Sequence, residues 1–296
     1  IRQAMQKGID LCEQVHPDLL LATDPDADRD GVAVKNSDDY LLLTGNEMGV
    51  LLLDYICKTR AARGEDLTKK VAVTTIVSSA MVDALADEYG FELRRCLTGF
   101  KYIGDIITSL SDAGEVDRFI FGFEESYGYL AGDHVRDKDA VSACSLLAEI
   151  CAYAKDHGKT LYDILMDIYK EYGYSKEFTI NVERPGKTGA EEIQQMMTDF
   201  RANPPKELAG VPVCLWKDYK TLEATQADGT KTQLVMPETS NVLQWFCTDG
   251  TKVSVRPSGT EPKIKFYLEV KDTLKEAADF AACEARAEQK IEAVSY

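Results

Sequence analysis

"VAVTTIVSSAMVDALADEYGFELRRC", residues 71–96, decides the fold class. Residues 71–77 are a short run of β-branched and small residues, as in a buried strand. Serines then offer an N-cap, and Met81, Val82, Leu85, Ala86 and Tyr89 recur at helical spacing until Gly90 stops the helix. "FELRRC" reads as the next strand. The same alternation continues on both sides. "NEMGVLLLDYICKTR" (46–60) is helical, with Met48, Leu51, Leu52, Tyr55 and Ile56 on one face. "YIGDIITSL" (102–110) is a helix and "RFIFGF" (118–123) a strand. "AVSACSLLAEICAYAKDHG" (140–158) is a helix with Cys144, Leu147, Ala148 and Cys151 facing inward and Gly158 ending it. Strands alternating with helices predict an α/β fold: a mixed, mainly parallel sheet sandwiched by helices.

Further out the rhythm changes. Residues 1–14 predict an amphipathic helix (Ile1, Met5, Ile9, Cys12), and Leu19–Ala22, Gly31–Lys35 and Tyr40–Thr44 read as strands. From about residue 176 the pattern is α+β. It has a strand "EFTINVE", a helix "AEEIQQMMTDF", a hairpin turning at Asp249-Gly250, an alternating strand "KIKFYLEV", and a closing helix capped by Thr273 and reaching about Ala293.

Composition narrows the function classes. With 34 Lys+Arg against 50 Asp+Glu the net charge is −16, and no basic cluster suits the displacement of nucleic-acid counterions. An anionic substrate must therefore meet local positive groups in particular loops. No apolar run approaches the roughly 18 residues of a membrane span. Eight cysteines (12, 57, 96, 144, 151, 214, 247 and 283) form no C-x-x-C pair, and Cys144 and Cys151 read as core. Reduced thiols in the cytoplasm are expected.

Three polar clusters follow strands, where open α/β sheets gather ligands. In "TDPDADRDG" (23–31) aspartates stand at every second position. Oxygen-only ligands suit a hard cation such as Mg²⁺, Mn²⁺ or Ca²⁺. A calcium hand beginning at Asp26 would place Ser37 at the twelfth position, where a bidentate glutamate is needed. Beginning at Asp24, it would place Lys35 there. A strand rather than a helix follows as well, so a calcium-binding module is the minor alternative. An aspartyl phosphatase would need Thr or Val after its D-x-D, which is absent. Three carboxylates leave coordination positions open for a phosphate, and Arg29 offsets their charge. In "FGFEESYGYLAGDHVRDKDA" (121–140), Glu124 and Ser126 can exchange hydrogen bonds with sugar hydroxyls, and Lys138 is a candidate cation; His134 has no assigned role. In "VRPSGTEPKIKFYLEV" (255–270), Arg256, Ser258, Gly259 and Thr260 form a small anion cradle without a Walker pattern. Thr98, Gly99 and Lys101, in "LTGFKYIGD" (97–105), can reach phosphate or sugar.

"ATDPDADRDG", "LTGFKYIG", "GFEESYGY" with "RDKDA", and "VRPSGTEPKIKFY" stand in the order and spacing of the α-D-phosphohexomutases, the phosphoglucomutase/phosphomannomutase family. The resemblance covers essentially the whole chain. It implies three regions: residues 1–39 as the C-terminal part of that family's second domain, 40–174 as its third, and 175–296 as its fourth. It implies Asp24, Asp26 and Asp28 as Mg²⁺ ligands with Arg29 beside them in the active site. Glu124 and Ser126 match the sugar-recognition loop. Lys101 and Lys138, with Thr98 and Gly99, match positions near the substrate. Arg256, Ser258, Gly259 and Thr260 match the loop holding the phosphate that is not transferred. The "EES" form resembles bacterial-type α-phosphoglucomutases, with phosphomannomutase or phosphopentomutase activity as the alternative. The family reaction implied interconverts glucose 1-phosphate and glucose 6-phosphate through a phosphoserine and a hexose 1,6-bisphosphate. No "TASHNP"-like serine loop occurs in these residues, so the chain resembles a C-terminal fragment, expected to be inactive alone.

Overall fold

Residues 71–96 fold as strand, helix and strand, and the strands lie parallel. The computed structural model describes residues 2–259 and 261–295. It divides into two units, Ile1–Tyr172 and Gly173–Tyr296.

The first unit begins with helix α1 (Arg2–Val15) and a three-stranded antiparallel sheet, β1 (Leu19–Thr23), β2 (Asp30–Asn36) and β3 (Asp39–Leu42). Met5, Ile9 and Cys12 of α1 pack with Ala33 and Tyr40 of that sheet. Next come α2 (Gly45–Ala62), β4 (Val71–Thr75), α3 (Met81–Tyr89), β5 (Glu92–Cys96), α4 (Phe100–Asp112), β6 (Phe119–Glu124), β7 (Gly128–Leu130), α5 (Ala140–Asp156) and α6 (Leu161–Tyr172). Their sheet has the order β5-β4-β6-β7; β4 runs parallel to both β5 and β6, and β7 is antiparallel.

Glycines let helices approach both faces of β6. A Cβ on Gly122 would stand 2.7 Å from Ile103 of α4, and one on Gly49 of α2 would stand 2.3 Å from the Phe123 ring. Helix α4 buries Phe100, Ile103, Ile107 and Leu110 at i, i+3, i+7 and i+10 against Val71 and Val73. Thr44 and Glu47 close a capping box on α2, and Asp139 caps α5 by accepting from the amides of Val141 and Ser142.

The second unit consists of β8 (Tyr174–Glu183), α7 (Gly186–Ala202), β9 (Glu207–Leu208), β10 (Val211–Asp218), β11 (Glu223–Gln226), β12 (Lys231–Gln233), β13 (Leu243–Cys247), β14 (Lys252–Pro257), β15 (Lys263–Asp272) and α8 (Phe280–Ser295). Its antiparallel sheet has the order β12-β11-β10-β13-β14-β15-β8, with β9 on β10. Asp249-Gly250 makes the expected turn, with Gly250 at φ 86°. No helix among the described residues is long and apolar enough to cross a membrane.

Several expectations are corrected. Helix α5 buries Ala140, Ala143, Leu147, Ile150 and Ala154; Cys144 and Cys151 are half-buried and Ala148 is exposed. The small alanines, which carry little hydropathy signal, hold the close-packed stripe. Helix α2 is buried on more than one face, Val50, Leu53 and Cys57 included. Helix α3 has Ala80 at its N-cap, while Ser79 accepts the Met81 amide from one residue further out. Thr273 does not start the closing helix. Leu274 is drawn into the core at 2% exposure and Glu276 stays extended, so α8 begins only at Phe280.

Candidate functional site

The aspartate loop is a hairpin turn in an antiparallel sheet rather than the end of a parallel strand. Thr23 pairs with Asp30, and residues 24–29 bulge out between them. The loop folds around Asp24. Its Oδ1 accepts the amides of Asp28 and Arg29, both at 3.1 Å, and Ala27 adopts a left-handed φ of 56° to let the chain turn back. These amides, Arg29's first, hold the Asp24 carboxyl below the usual aspartate range. Carboxylate oxygens of Asp24, Asp26 and Asp28 lie within 4.8 Å of one another. An all-oxygen donor set of three carboxylates fits a hard divalent cation such as Mg²⁺.

Asp30 stands apart from these three. It is 1% exposed, its Oδ2 lies 3.8 Å from the Cys144 thiol, and its Oδ1 is buried without a hydrogen-bond partner. Burial pushes its carboxyl up to about 7. It belongs to the base of the turn, not to the cluster.

Backbone contacts bring the turn at residues 124–128 to this hairpin. Arg29 and Gly128 form a β-bridge, the Asp30 amide donates to the Tyr127 carbonyl at 3.4 Å, and the Ala140 amide donates to Ala27 at 3.1 Å. Strand β6 delivers Glu124 to 7% exposure, where Oε1 accepts the Gly99 amide at 2.7 Å, at the start of α4. Burial, followed by the neighbouring Glu125 charge, raises the Glu124 carboxyl above the ordinary glutamate range. Ser126 is exposed, and Tyr127 turns the chain at a left-handed φ of 69°.

Lys138 completes the group. Its stem crosses Gly128, where a Cβ would meet Lys138 Cδ at 2.2 Å, and its ammonium reaches Asp28 Oδ2 and Asp137 Oδ1, each at 2.9 Å. Desolvation opposes its charge, but the two carboxylates outweigh it and raise the ammonium's pKa. Lys101 is exposed and lies over the Tyr102 ring at 4.4 Å, and Thr98 is half-buried. His134 pairs with Asp139 at 2.8 Å, the residue capping α5, which gives it a structural place. A cleft of about 450 Å³ opens on this hairpin, lined by Asp24, Arg29, Ser126, Tyr127, Ala4 and Met5 among others.

In the second unit the expected anion loop is the β14–β15 hairpin. The Ser258 amide donates to Lys263 O at 2.8 Å, and Ser258 Oγ accepts the Glu261 amide at 3.3 Å. Gly259 is exposed in open space, while Thr260 lies outside the described residues. Arg256 pairs across the ladder with Lys265. Like charges placed opposite each other are unfavourable unless an anion joins them. Lys265 was legible in the alternation of "KIKFYLEV", which puts it on the Arg256 face, but the sequence reading passed over it.

Comparison with known proteins agrees with this layout. Residues 44–172 match the family model described as phosphoglucomutase/phosphomannomutase, alpha/beta/alpha domain III, and residues 180–287 match that of the C-terminal domain. The chain is 38% identical over 270 residues to a phosphoglucomutase of Staphylococcus aureus (strain MRSA252), covering 91% of this chain and 48% of that protein. The chain thus spans about half the length of the curated relatives it matches. Its fold resembles that of parafusin, a phosphoglucomutase from Paramecium, in an open form, at a TM-score of 0.64 and 17% identity over 98% of this chain and 48% of the other. It also resembles that of a phosphoglucomutase/phosphomannomutase family protein from Burkholderia thailandensis, at 0.59 and 15%, over 100% and 51%.

Proposed function

The chain belongs to the phosphoglucomutase/phosphomannomutase family, and from that premise we propose that it carries the metal, sugar and distal-phosphate loops of an enzyme interconverting glucose 1-phosphate and glucose 6-phosphate. One observation supports this reading above the others. The carboxylate hairpin and the sugar loop are joined by the Arg29–Gly128 bridge, with Lys138 holding Asp28 from the segment that follows. A phosphoryl group moving to or from a sugar hydroxyl needs a cationic environment and a fixed acceptor within one small space.

Asp24, Asp26 and Asp28 would hold Mg²⁺, whose charge when bound would stabilise the oxygens of a transferring phosphoryl group. Arg29 adds a guanidinium at the same edge. Glu124, held by the Gly99 amide, and the exposed Ser126 hydroxyl would receive the sugar hydroxyls. Arg256, with Lys265 opposite and Ser258 beside it, would hold the phosphate that stays in place. Hexose 1,6-bisphosphate, the intermediate of the proposed reaction, is the expected second ligand. The "EES" form of the loop favours glucose over mannose or a pentose. Eight free thiols suit a reducing compartment, and the cytoplasm is the proposed location.

The test is ligand titration of the ¹⁵N-labelled chain. Glucose 6-phosphate should shift amides near 124–128 and 256–259, more tightly than mannose 6-phosphate or ribose 5-phosphate, and Mg²⁺ should shift 24–29. Glucose 6-phosphate that leaves both loops unmoved at millimolar concentration would refute the reading.

A further inference from the structure

Two glutamates stand side by side at the end of β6, and strand alternation sends their side chains in opposite directions. Glu124 turns to the Gly99 amide. Glu125 turns to the segment leaving β4, where its Oε2 accepts Thr75 Oγ1 at 3.2 Å and Ser78 Oγ at 3.3 Å. Both hydroxyl residues are fully buried, and the hydroxyls are 2.9 Å apart. Three contacts share two hydroxyl hydrogens, and a carboxylate, which only accepts, can take both of them.

The backbone of Glu125 is confined as well. Gly45, the first residue of α2, presses on it so closely that a Cβ there would stand 2.0 Å from the Glu125 carbonyl oxygen. Tyr129 Oη donates to the Gly45 carbonyl at 3.1 Å from the far side of the turn. Between these anchors lie the exposed Ser126 and the left-handed Tyr127. A non-glycine residue adopts that conformation only where its surroundings impose it.

We infer that Glu125 is a positioning residue for sugar recognition. Its carboxylate stays committed to Thr75 and Ser78 and fixes the backbone from which Glu124 and Ser126 meet the sugar hydroxyls. This rests on the hexose-phosphate reading above, and it divides the "EES" motif into two residues that touch the sugar and one that holds them.

The experiment uses the ¹⁵N-labelled chain with Glu125→Ala, Glu125→Gln and Ser78→Ala. Two quantities are read: amide exchange at residues 126–128 without ligand, and Kd for glucose 6-phosphate and for inorganic phosphate. Glu125→Ala should speed exchange and weaken glucose 6-phosphate about tenfold, the equivalent of one lost hydrogen bond, with the phosphate Kd unchanged. Glu125→Gln keeps an oxygen acceptor and should stay within about twofold of wild type, with Ser78→Ala between the two. Wild-type affinity in Glu125→Ala, or a Glu125→Gln as impaired as Glu125→Ala, would overturn the inference. A wild-type chain that ignores glucose 6-phosphate sinks the functional reading instead, and the ligand-free exchange rates then decide whether Glu125 sets the turn.

Discussion

Replacing Glu124 by glutamine separates the charge of this side chain from its hydrogen bond. The carboxylate is 7% exposed and receives the Gly99 amide at 2.7 Å, a bond that a carboxamide oxygen can also accept. Around it stand Glu125, which disfavours its charge, and Lys138 and Arg29, which favour it, yet burial dominates and its pKa is raised. An acid with a raised native pKa holds its proton longer in the folded state than in the unfolded one. Between the ordinary glutamate value and the raised one, the native state therefore binds more protons, and stability falls as pH rises. The slope from a single group reaches about 1.4 kcal/mol per pH unit inside that window and vanishes outside it. Glu124→Gln should match wild type at pH 4, gain on it as pH rises through the window, and keep a constant lead above. Glu124→Ala leaves the Gly99 amide without its acceptor and should lose about 1–3 kcal/mol at every pH. Urea unfolding at half-unit pH steps measures all three. A wild-type-minus-Gln difference that stays flat from pH 4 to 8, or that favours wild type at pH 8, would refute the reasoning. The same Glu124→Gln should weaken glucose 6-phosphate binding, because a neutral oxygen accepts sugar hydroxyls less strongly than a carboxylate.

Three further perturbations test other parts of the structure. Gly45→Ala drives a methyl into the Glu125 carbonyl, a backbone group that cannot rotate away, and should cost about 1–3 kcal/mol, read as a lowered thermal midpoint. An unchanged midpoint would show that the turn is looser than described. Lys138→Met frees Asp28 from its ammonium and should tighten Mn²⁺ binding by the chain, whereas Asp28→Asn should weaken it; Mn²⁺ titration by electron paramagnetic resonance distinguishes them, and identical affinities would remove both from the metal loop. Leu147→Ala should cost about 2–5 kcal/mol and Cys151→Ala less than about 1, by urea denaturation, because Leu147 rather than the cysteine lies in the buried stripe of α5. Equal losses would restore the cysteine to the core.

What could be read in the sequence was what is local or periodic. Residues 71–96 carry their own strand, helix face and glycine stop, so their parallel pairing was predictable from spacing, although Ala80 takes the N-cap where a serine was expected. Asp24, Asp26 and Asp28 were legible because alternating carboxylates repel unless something gathers them, and the structure does gather them. Helix α5 misled because alanine and cysteine differ little in hydropathy, while the buried stripe is made by Ala140, Ala143, Leu147, Ile150 and Ala154. Strands β7 and β9 to β12 went unassigned, being short or lacking a clean period, and helix α6 was missed although Leu161, Leu165, Ile168 and Tyr169 recur at helical spacing. The links between loops were invisible for another reason. Lys138 reaches Asp28, and Thr75 reaches Glu125, only once β4, β6 and the aspartate hairpin are adjacent; no spacing in the chain encodes those distances. A motif can therefore offer Glu124 and Ser126 as candidates to meet a sugar, but only the fold shows that Glu125, identical in type to Glu124, points to two buried hydroxyls. Glu125 still raises the Glu124 carboxyl through its charge, while Thr75 and Ser78 hold its own oxygen away from the Gly99 amide that Glu124 accepts.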